Sequence, residues 1–241
     1  MPNTVRPNIP EPAPVTTLRG WLDDLAAHDR LAIIRPGVKL RHELAAISKR
    51  LDGQKATFFP SPDGHAMPVV SGLLGDRAWI ADAMGVTADA VLKRFGEAVA
   101  NPLPWREVAT GPAQDVVHDR VHLTQLLPIP THNELDSGPY ISAGLLITRN
   151  PRTGIQNVAI HRCQINAPDE LGMLLLPRHT LAFYSEAEDA GEALEIAIVI
   201  GCDPLTSLAS QAITPLDFDE LTIAGALHGE ALEVVKCLTN A

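Results

Sequence analysis

Apolar residues in the first hundred positions recur at helical spacing, interrupted by short β-rich runs. In Thr17–His28, Leu18, Leu22 and Leu25 fall on one face of a helix, and Thr17 stands where an N-cap oxygen belongs. Arg41–Leu51 repeats the pattern with Leu44, Ile47 and Leu51. Asp76–Met84 and Ala88–Ala98 predict two more helices, the second turning Val91, Leu92 and Phe95 inward. Leu31–Arg35, Thr57–Phe59 and Pro68–Ser71 read as strands between them. Residues 17–112 are thus expected to form a mixed α/β domain, with Pro102–Pro112 as a linker-like crossing.

Beyond residue 113 the pattern changes. Val116–His118, Tyr140–Thr148, Gln156–Gln164, Leu194–Ile200 and Glu233–Leu238 are strand candidates. Tyr140–Thr148 and Gln156–Gln164 flank a Pro/Gly turn and predict a β-hairpin. Helical stretches are expected near Ala182–Ala190, Pro204–Ser210 and Glu220–Ala226. Many strands and few long helices suggest that 113–241 is a β-barrel-like core with helical insertions, an α+β chain as a whole.

Composition narrows the class. With 46% hydrophobic and 20% charged residues the chain is an ordinary globular protein, large enough for a sizeable core. No apolar run approaches the roughly 20 residues needed to span a bilayer. Residues 1–16 are Pro-rich without an apolar segment, which predicts a flexible arm rather than a secretory signal. Three cysteines, Cys163, Cys202 and Cys237, show no metal-type spacing and point to reduced thiols and a cytoplasmic location. The net charge of −10 is concentrated: residues 181–241 hold 11 acidic side chains and one basic one, Lys236. Such a balance argues against nucleic-acid binding by phosphate neutralisation. The acidic segment is a solvated face, or a surface for a basic partner or a further domain.

Candidate chemistry gathers in GPYISAGLLITRNPRTGIQNVAIHR, residues 138–162, and at His179 and Glu220. Asn157 and Arg162 are five apart, so a regular strand puts them on opposite faces. They share a ligand only if a bulge intervenes or the ligand wraps the strand edge. Taken singly, each residue has a common structural role: Arg162 as a surface ion-pair partner, His179 as a hydrogen-bonded histidine, Glu220 as a helix-start carboxylate. Together, an Asn oxygen, a His nitrogen and a Glu carboxylate suit a divalent cation such as Mn²⁺ or Mg²⁺, with phosphate filling the open positions.

The chain resembles the UbiD-like family of prenylated-flavin-dependent decarboxylases almost end to end. The resemblance is carried by TLRGWLDDLAAHDRLAIIRPGV at 17–38, MPVVSGLLGDR at 67–77, LLPIPTHNELDSGPYISAGLLITRNP at 126–151 and GCDPL at 201–205. Its most specific elements are NVAIHR at 157–162 and DELTIAGALHGEALEVVKCLTN at 219–240. It implies reversible, non-oxidative decarboxylation of an aromatic, heteroaromatic or α,β-unsaturated carboxylic acid, with release of CO2. It also implies prenylated FMN from a separate flavin prenyltransferase, seated in a split β-barrel, its phosphate held through Mn²⁺ (or Mg²⁺) and K⁺. By position, Asn157, His179 and Glu220 match the metal ligands, and Ile160 matches a position whose backbone lies against the flavin. Arg178 falls beside the phosphate contacts. Arg162 matches the catalytic arginine at the substrate carboxylate.

The resemblance carries a further expectation. Family members continue past EVVKCLTN into a segment with two glutamates, one of them the proton donor, and then into an oligomerising C-terminal domain. The C-terminal part is therefore expected to be absent here, making the chain a fragment or half of a split enzyme, a homo-oligomer or the partner of a complementing C-terminal chain. Two alternatives remain at this point: a non-catalytic flavin-binding or regulatory subunit, and a flavin reductase-type split barrel, which has no need of the Asn/His/Glu set.

Overall fold

The computed structural model describes residues 15–240. The expected arm at 1–16 lies outside the described residues except for its last two positions, and Val15 packs against the main core. Helix α1 (Leu18–Ala27) opens as the sequence predicts, with the Thr17 hydroxyl accepting the Gly20 N–H at 3.0 Å. Strand β1 (Leu31–Ile33), helix α2 (Glu43–Leu51) and strand β2 (Ala56–Phe59) follow as a parallel crossover, and β3 (Val69–Ser71) adds antiparallel to β2. Helix α3 (Arg77–Ala83) is capped by Asp76, and α4 (Val91–Ala100) completes this half. Val91 is buried and Phe95 packs at the edge of the core, but Leu92 points outward and is 72% exposed. Val91 and Phe95, four apart, share a face, whereas Leu92 is turned about 100° from Val91 and faces away from the core.

A two-residue strand β4 (Arg106–Glu107) and a short helix α5 (Leu123–Leu126) lead into the second half. The strand expected at Val116–His118 does not form; Val116 and Val117 are exposed in irregular backbone. Apolar identity alone misled here, because no strand among the described residues pairs with this run. The hairpin does form: β5 (Tyr140–Arg149) and β6 (Gln156–Ala167) pair antiparallel, with Leu145 opposite Ile160 and Thr148 opposite Asn157. The sheet is extended by β7 (Glu170–Met173) on the β6 side and by β8 (Ile196–Val199) on the β5 side, giving the order β7-β6-β5-β8. This four-stranded sheet is open. Helix α6 (His179–Asp189) begins three residues before the expected Ala182, so His179 is its first residue. Helices α7 (Pro204–Ala209) and α8 (Glu220–His228) follow, and β9 (Glu233–Val234) pairs parallel with β4.

The main core draws on both halves. Trp21, Leu25, Trp79 and Ala98 meet Leu205, Ala209, Ile223 and Leu227, so α7 and α8 are packed against the helices of the first half. Two smaller clusters sit on the hairpin: Ile129, Ile141 and Cys163, and Leu145, Val158 and Leu221. Helix α8 is held closely at both ends and along its side. Asp219 caps its first turn through the Leu221 N–H and takes the Trp105 indole N–H at 2.7 Å. Gly229 ends it in a left-handed conformation with φ +79°. At Gly225 a methyl group would come within 2.7 Å of the Leu103 carbonyl oxygen, so only glycine lets the 102–105 crossing lie against the helix. No helix among the described residues is long and apolar enough to cross a membrane.

Candidate functional site

Strand β6 carries both polar residues singled out from the sequence, and its partners decide which face each occupies. Asn157 and His161 both reach the hydroxyl of Thr180 on α6, at 3.4 and 3.2 Å. They therefore share a face, as residues four apart on a strand must. Arg162, adjacent to His161, lies on the other face. The register shift lies between Ile141 and Gly144 of β5, opposite Arg162, and leaves the alternation along 157–161 of β6 intact. Asn157 and Arg162 thus have no partner in common.

The Asn157 end is closed. Asn157 is 4% exposed, and its Oδ1 lies 3.0 Å from His179 Nδ1. The α6 start positions that imidazole beside the strand. Glu220, the first residue of α8, is 3% exposed. Strand β7 pairs with β6 only from Cys163 onward, so the edge of β6 is open at Val158. There the Val158 N–H donates to Glu220 Oε2 at 2.7 Å, and the Thr214 hydroxyl donates to Oε1 at 2.8 Å. Burial pushes the Glu220 carboxyl above the usual carboxylate range, against the pull of these two donors. Both donors are neutral, and no Lys, Arg or His among the described residues forms an ion pair with Glu220. The buried carboxylate is left uncompensated. His161 is pushed down by burial, which keeps it neutral near pH 7.

The Arg162 end is open. Its guanidinium is stacked over the Tyr140 ring at 4.6 Å and makes one 3.4 Å contact with Asp136. The side chain is 61% exposed, so most of its donors face outward. Tyr140 is itself fixed, donating to Gln164 Oε1 at 2.9 Å, and Asp136 is held by the Asn133 N–H at 3.0 Å. Ile160 lies between the two ends and packs in the cluster around Leu145, Val158 and Leu221. Arg178 is exposed immediately before α6.

The structure thus brings Asn157 and His179 together, places Glu220 on the backbone next to Asn157, and sets Arg162 apart. Among the described residues no cluster of three or more His, Cys, Asp or Glu has metal-holding geometry. The trio here has only two such residues, the third donor being an amide. Two open clefts elsewhere, beside Arg30 and Asp82 and beside His65 and Gln125, touch none of these side chains. Sequence reasoning did not single out Thr180, His161, Thr214, Asp136 or Tyr140. Thr180 follows His179 directly, and Asp136 and Tyr140 lie within the 126–151 motif, so proximity to the named residues was the available signal.

Residues 106–241 match the 3-octaprenyl-4-hydroxybenzoate carboxy-lyase Rift-related domain, and residues 22–99 match the N-terminal domain of the same enzymes. The chain belongs to the UbiD family. Among curated relatives, anhydromevalonate phosphate decarboxylase of Methanothermobacter thermautotrophicus is 40% identical over 171 residues, 71% of this chain and 40% of that protein. Gallate decarboxylase of Lactiplantibacillus plantarum is 31% identical, over 82% of this chain and 45% of the relative. Among solved structures, an evolved dimeric form of the UbiD-class enzyme HmfF from Pelotomaculum thermopropionicum, in complex with prFMN, superposes with a TM-score of 0.91 at 45% identity. That superposition covers 93% of this chain and 53% of HmfF. This UbiD-family chain spans about half the length of the relatives it matches.

Proposed function

We propose that the chain is the cofactor-anchoring part of a UbiD-type decarboxylase acting on an aromatic, heteroaromatic or α,β-unsaturated carboxylic acid. The observation that carries this reading is Glu220, a buried carboxylate with two neutral donors and no ion-pair partner among the described residues, bonded to the Val158 N–H one residue along β6 from Asn157, whose Oδ1 lies 3.0 Å from His179 Nδ1. A buried, unbalanced carboxylate is costly, and a divalent cation removes the cost. The donor set of carboxylate, amide oxygen and imidazole fits Mn²⁺ or Mg²⁺. Asn157, His179 and Glu220 would hold that ion, which with K⁺ would anchor the phosphate of a prenylated FMN, with Arg178 nearby. The hairpin sheet β7-β6-β5-β8 is then one wall of a split barrel within a 113–241 domain, next to the α/β domain of 17–112.

When bound, the prenylated flavin supplies the electron sink needed as the carbon–carboxylate bond breaks. The chain's own residues supply position. Asn157 and Arg162, on opposite faces of β6, would serve the cofactor phosphate and the substrate carboxylate, with the Ile160 backbone against the flavin. Arg162 would hold the substrate carboxylate as a charge-assisted pair, using the donors that Asp136 leaves free. CO2 departs and a proton takes its place on carbon. We assign the proton donor to the portion of the relatives that this chain does not match, brought in by a complementing chain or further sequence. HmfF in dimeric form and a vanillic acid decarboxylase, ShVdcCD from Sedimentibacter hydroxybenzoicus, support an oligomer or complementing-chain reading. A flavin prenyltransferase is the cofactor source, and a cytoplasmic setting fits reduced thiols.

The test is flavin retention. The chain reconstituted with prenylated FMN, Mn²⁺ and K⁺ should keep bound flavin through gel filtration. Glu220→Gln should lower flavin content at least about tenfold, as loss of a metal anchor does. Unchanged flavin content in that variant removes Glu220 from the site.

A further inference from the structure

A side-chain amide has two ends of nearly the same shape and opposite chemistry, and only its oxygen can bind a cation. Something in the protein must decide which end of Asn157 faces His179. We propose that Thr180 and His161 are positioning residues that make this choice, through a directed hydrogen-bond chain ending on the Asn157 nitrogen. The proposal rests on reading Asn157 as a metal ligand and names the residues that make it a competent one.

The argument follows the hydrogens. Thr180 Oγ1 lies 3.4 Å from Asn157 Nδ2 and 3.2 Å from His161 Nε2. A hydroxyl has one hydrogen to give. Were it given to Asn157, the amide would turn its oxygen to Thr180 and present NH2 groups to His179, closing the position to a cation. His161 prevents this. In the structure the amide donates Nδ2–H to Thr180 Oγ1, so the hydroxyl hydrogen is left to point at His161 Nε2. An Nε2 that accepts this hydrogen has only a lone pair, so the ring N–H of a neutral His161 is on Nδ1. The Thr180 hydrogen therefore goes to His161. Its oxygen is left as an acceptor, and the only end of the amide that can donate to it is Nδ2. Asn157 Oδ1 is thereby left on the His179 side, 3.0 Å from Nδ1.

Burial gives the chain its force. Thr180 and Asn157 are each 4% exposed, so neither finds bulk water as a substitute partner. A wrong orientation would bury an unsatisfied donor or acceptor. The geometry is economical in elements as well. Thr180 and His179 are consecutive at the start of α6, and His161 and Asn157 are four apart on one face of β6. One helix end against one strand face fixes both the imidazole and the amide.

The first test needs no metal or flavin. Histidine ¹⁵N NMR of the labelled chain should show His161 as the Nδ1–H tautomer; an Nε2–H tautomer reverses the chain and overturns the proposal. The second is Mn²⁺ titration followed by the loss of the free-ion EPR signal. Thr180→Val keeps the shape, removes the hydroxyl, and should weaken Mn²⁺ binding about tenfold or more, while Thr180→Ser restores it. Mn²⁺ binding to Thr180→Val as tight as to the parent chain overturns the proposal. Glu220→Gln in parallel separates the two ideas. If Mn²⁺ affinity is indifferent to Glu220 while His161 holds the expected tautomer, the metal reading fails and the orienting chain stands. If the chain takes up no Mn²⁺, the tautomer decides.

Discussion

The two ends of β6 are built by opposite means. At Asn157 the strand is enclosed by α6 and α8, its polar groups are buried, and a carboxylate has no cation. At Arg162 a cation is 61% exposed, backed by an aromatic ring and touched by one carboxylate. The buried end is a product of the core: α8 reaches it because Ile223 and Leu227 are packed against the first half, and α6 because Phe183 is fully buried. The exposed end is a product of a loop, since Asp136 comes from the segment before β5. A site that keeps a tightly anchored group belongs at the first. A site that must exchange a ligand at each turnover belongs at the second, where no large desolvation cost opposes release.

The comparison breaks most sharply at Arg162. In the assembled enzyme carrying all the segments its relatives possess, Arg162→Ala should lower decarboxylation at least about a hundredfold, the usual consequence of losing substrate positioning. Thermal stability should barely change, because exposed side chains contribute within about 0.5 kcal/mol. Bound flavin should stay at the parent level, since the anchoring face is untouched. Retained turnover would take Arg162 out of the reaction, and lost flavin would show that the two ends are not independent.

The opposite outcome is expected behind the buried end. Asp203 caps α7 through the Leu205 and Thr206 N–H groups at 2.9 Å and lies 3.0 Å from His228 at the end of α8. Both side chains are nearly inaccessible. Asp203→Asn breaks a buried pair and should cost about 3 kcal/mol of stability. Flavin should then be lost by unfolding rather than by a weakened site, a distinction that thermal melts beside flavin content would make. The pH dependence has a definite sign. Burial pushes the Asp203 carboxyl up, but the His228 side chain and the Thr206 hydroxyl and N–H outweigh it and leave it below the usual range. Its contribution is present above the ordinary carboxylate value of 3.8 and is lost as pH falls through the lower folded value. Asp203→Asn should therefore flatten the acid limb of a stability-versus-pH curve. An unchanged acid limb would show that other carboxylates set it.

How much of this was legible beforehand differs between the same two regions. The hairpin was readable because alternation and a Pro/Gly turn fix a local ladder, and Thr17 was readable as a cap because its oxygen serves an N–H group three residues away. The parity of Asn157 and Arg162 correctly foretold opposite faces. The strand expected at Glu233–Leu238 forms only at Glu233–Val234, and strand β7, β4 and the pairing of β4 with β9 were not readable, since β4 is two residues long and lies far from its partner in sequence. Leu92 was misplaced because a helix face is set by what packs on it, and that neighbour includes α8, more than a hundred residues on. The site residues came from family resemblance. Their support did not, because Thr214, Thr180 and Asp136 act through tertiary contacts that no spacing encodes.

The smallest expected effect sharpens the exposed end. Tyr140 lies 4.6 Å beneath the Arg162 guanidinium, a stacking worth about 0.5–1 kcal/mol at an exposed position. Tyr140→Leu should therefore raise KM for the carboxylic acid about two- to fivefold with a smaller change in kcat, because on the proposed reading the ring orients a guanidinium that would contact the substrate carboxylate and not the reacting carbon. Tyr140→Phe keeps the ring and removes only the hydroxyl that donates to Gln164, and should behave as the parent. Were Tyr140→Phe to match Tyr140→Leu, orientation would come from the Gln164 hydrogen bond and not from the stack. Were neither to move KM, the single Asp136 contact would suffice, and the open end would owe its geometry to the loop alone.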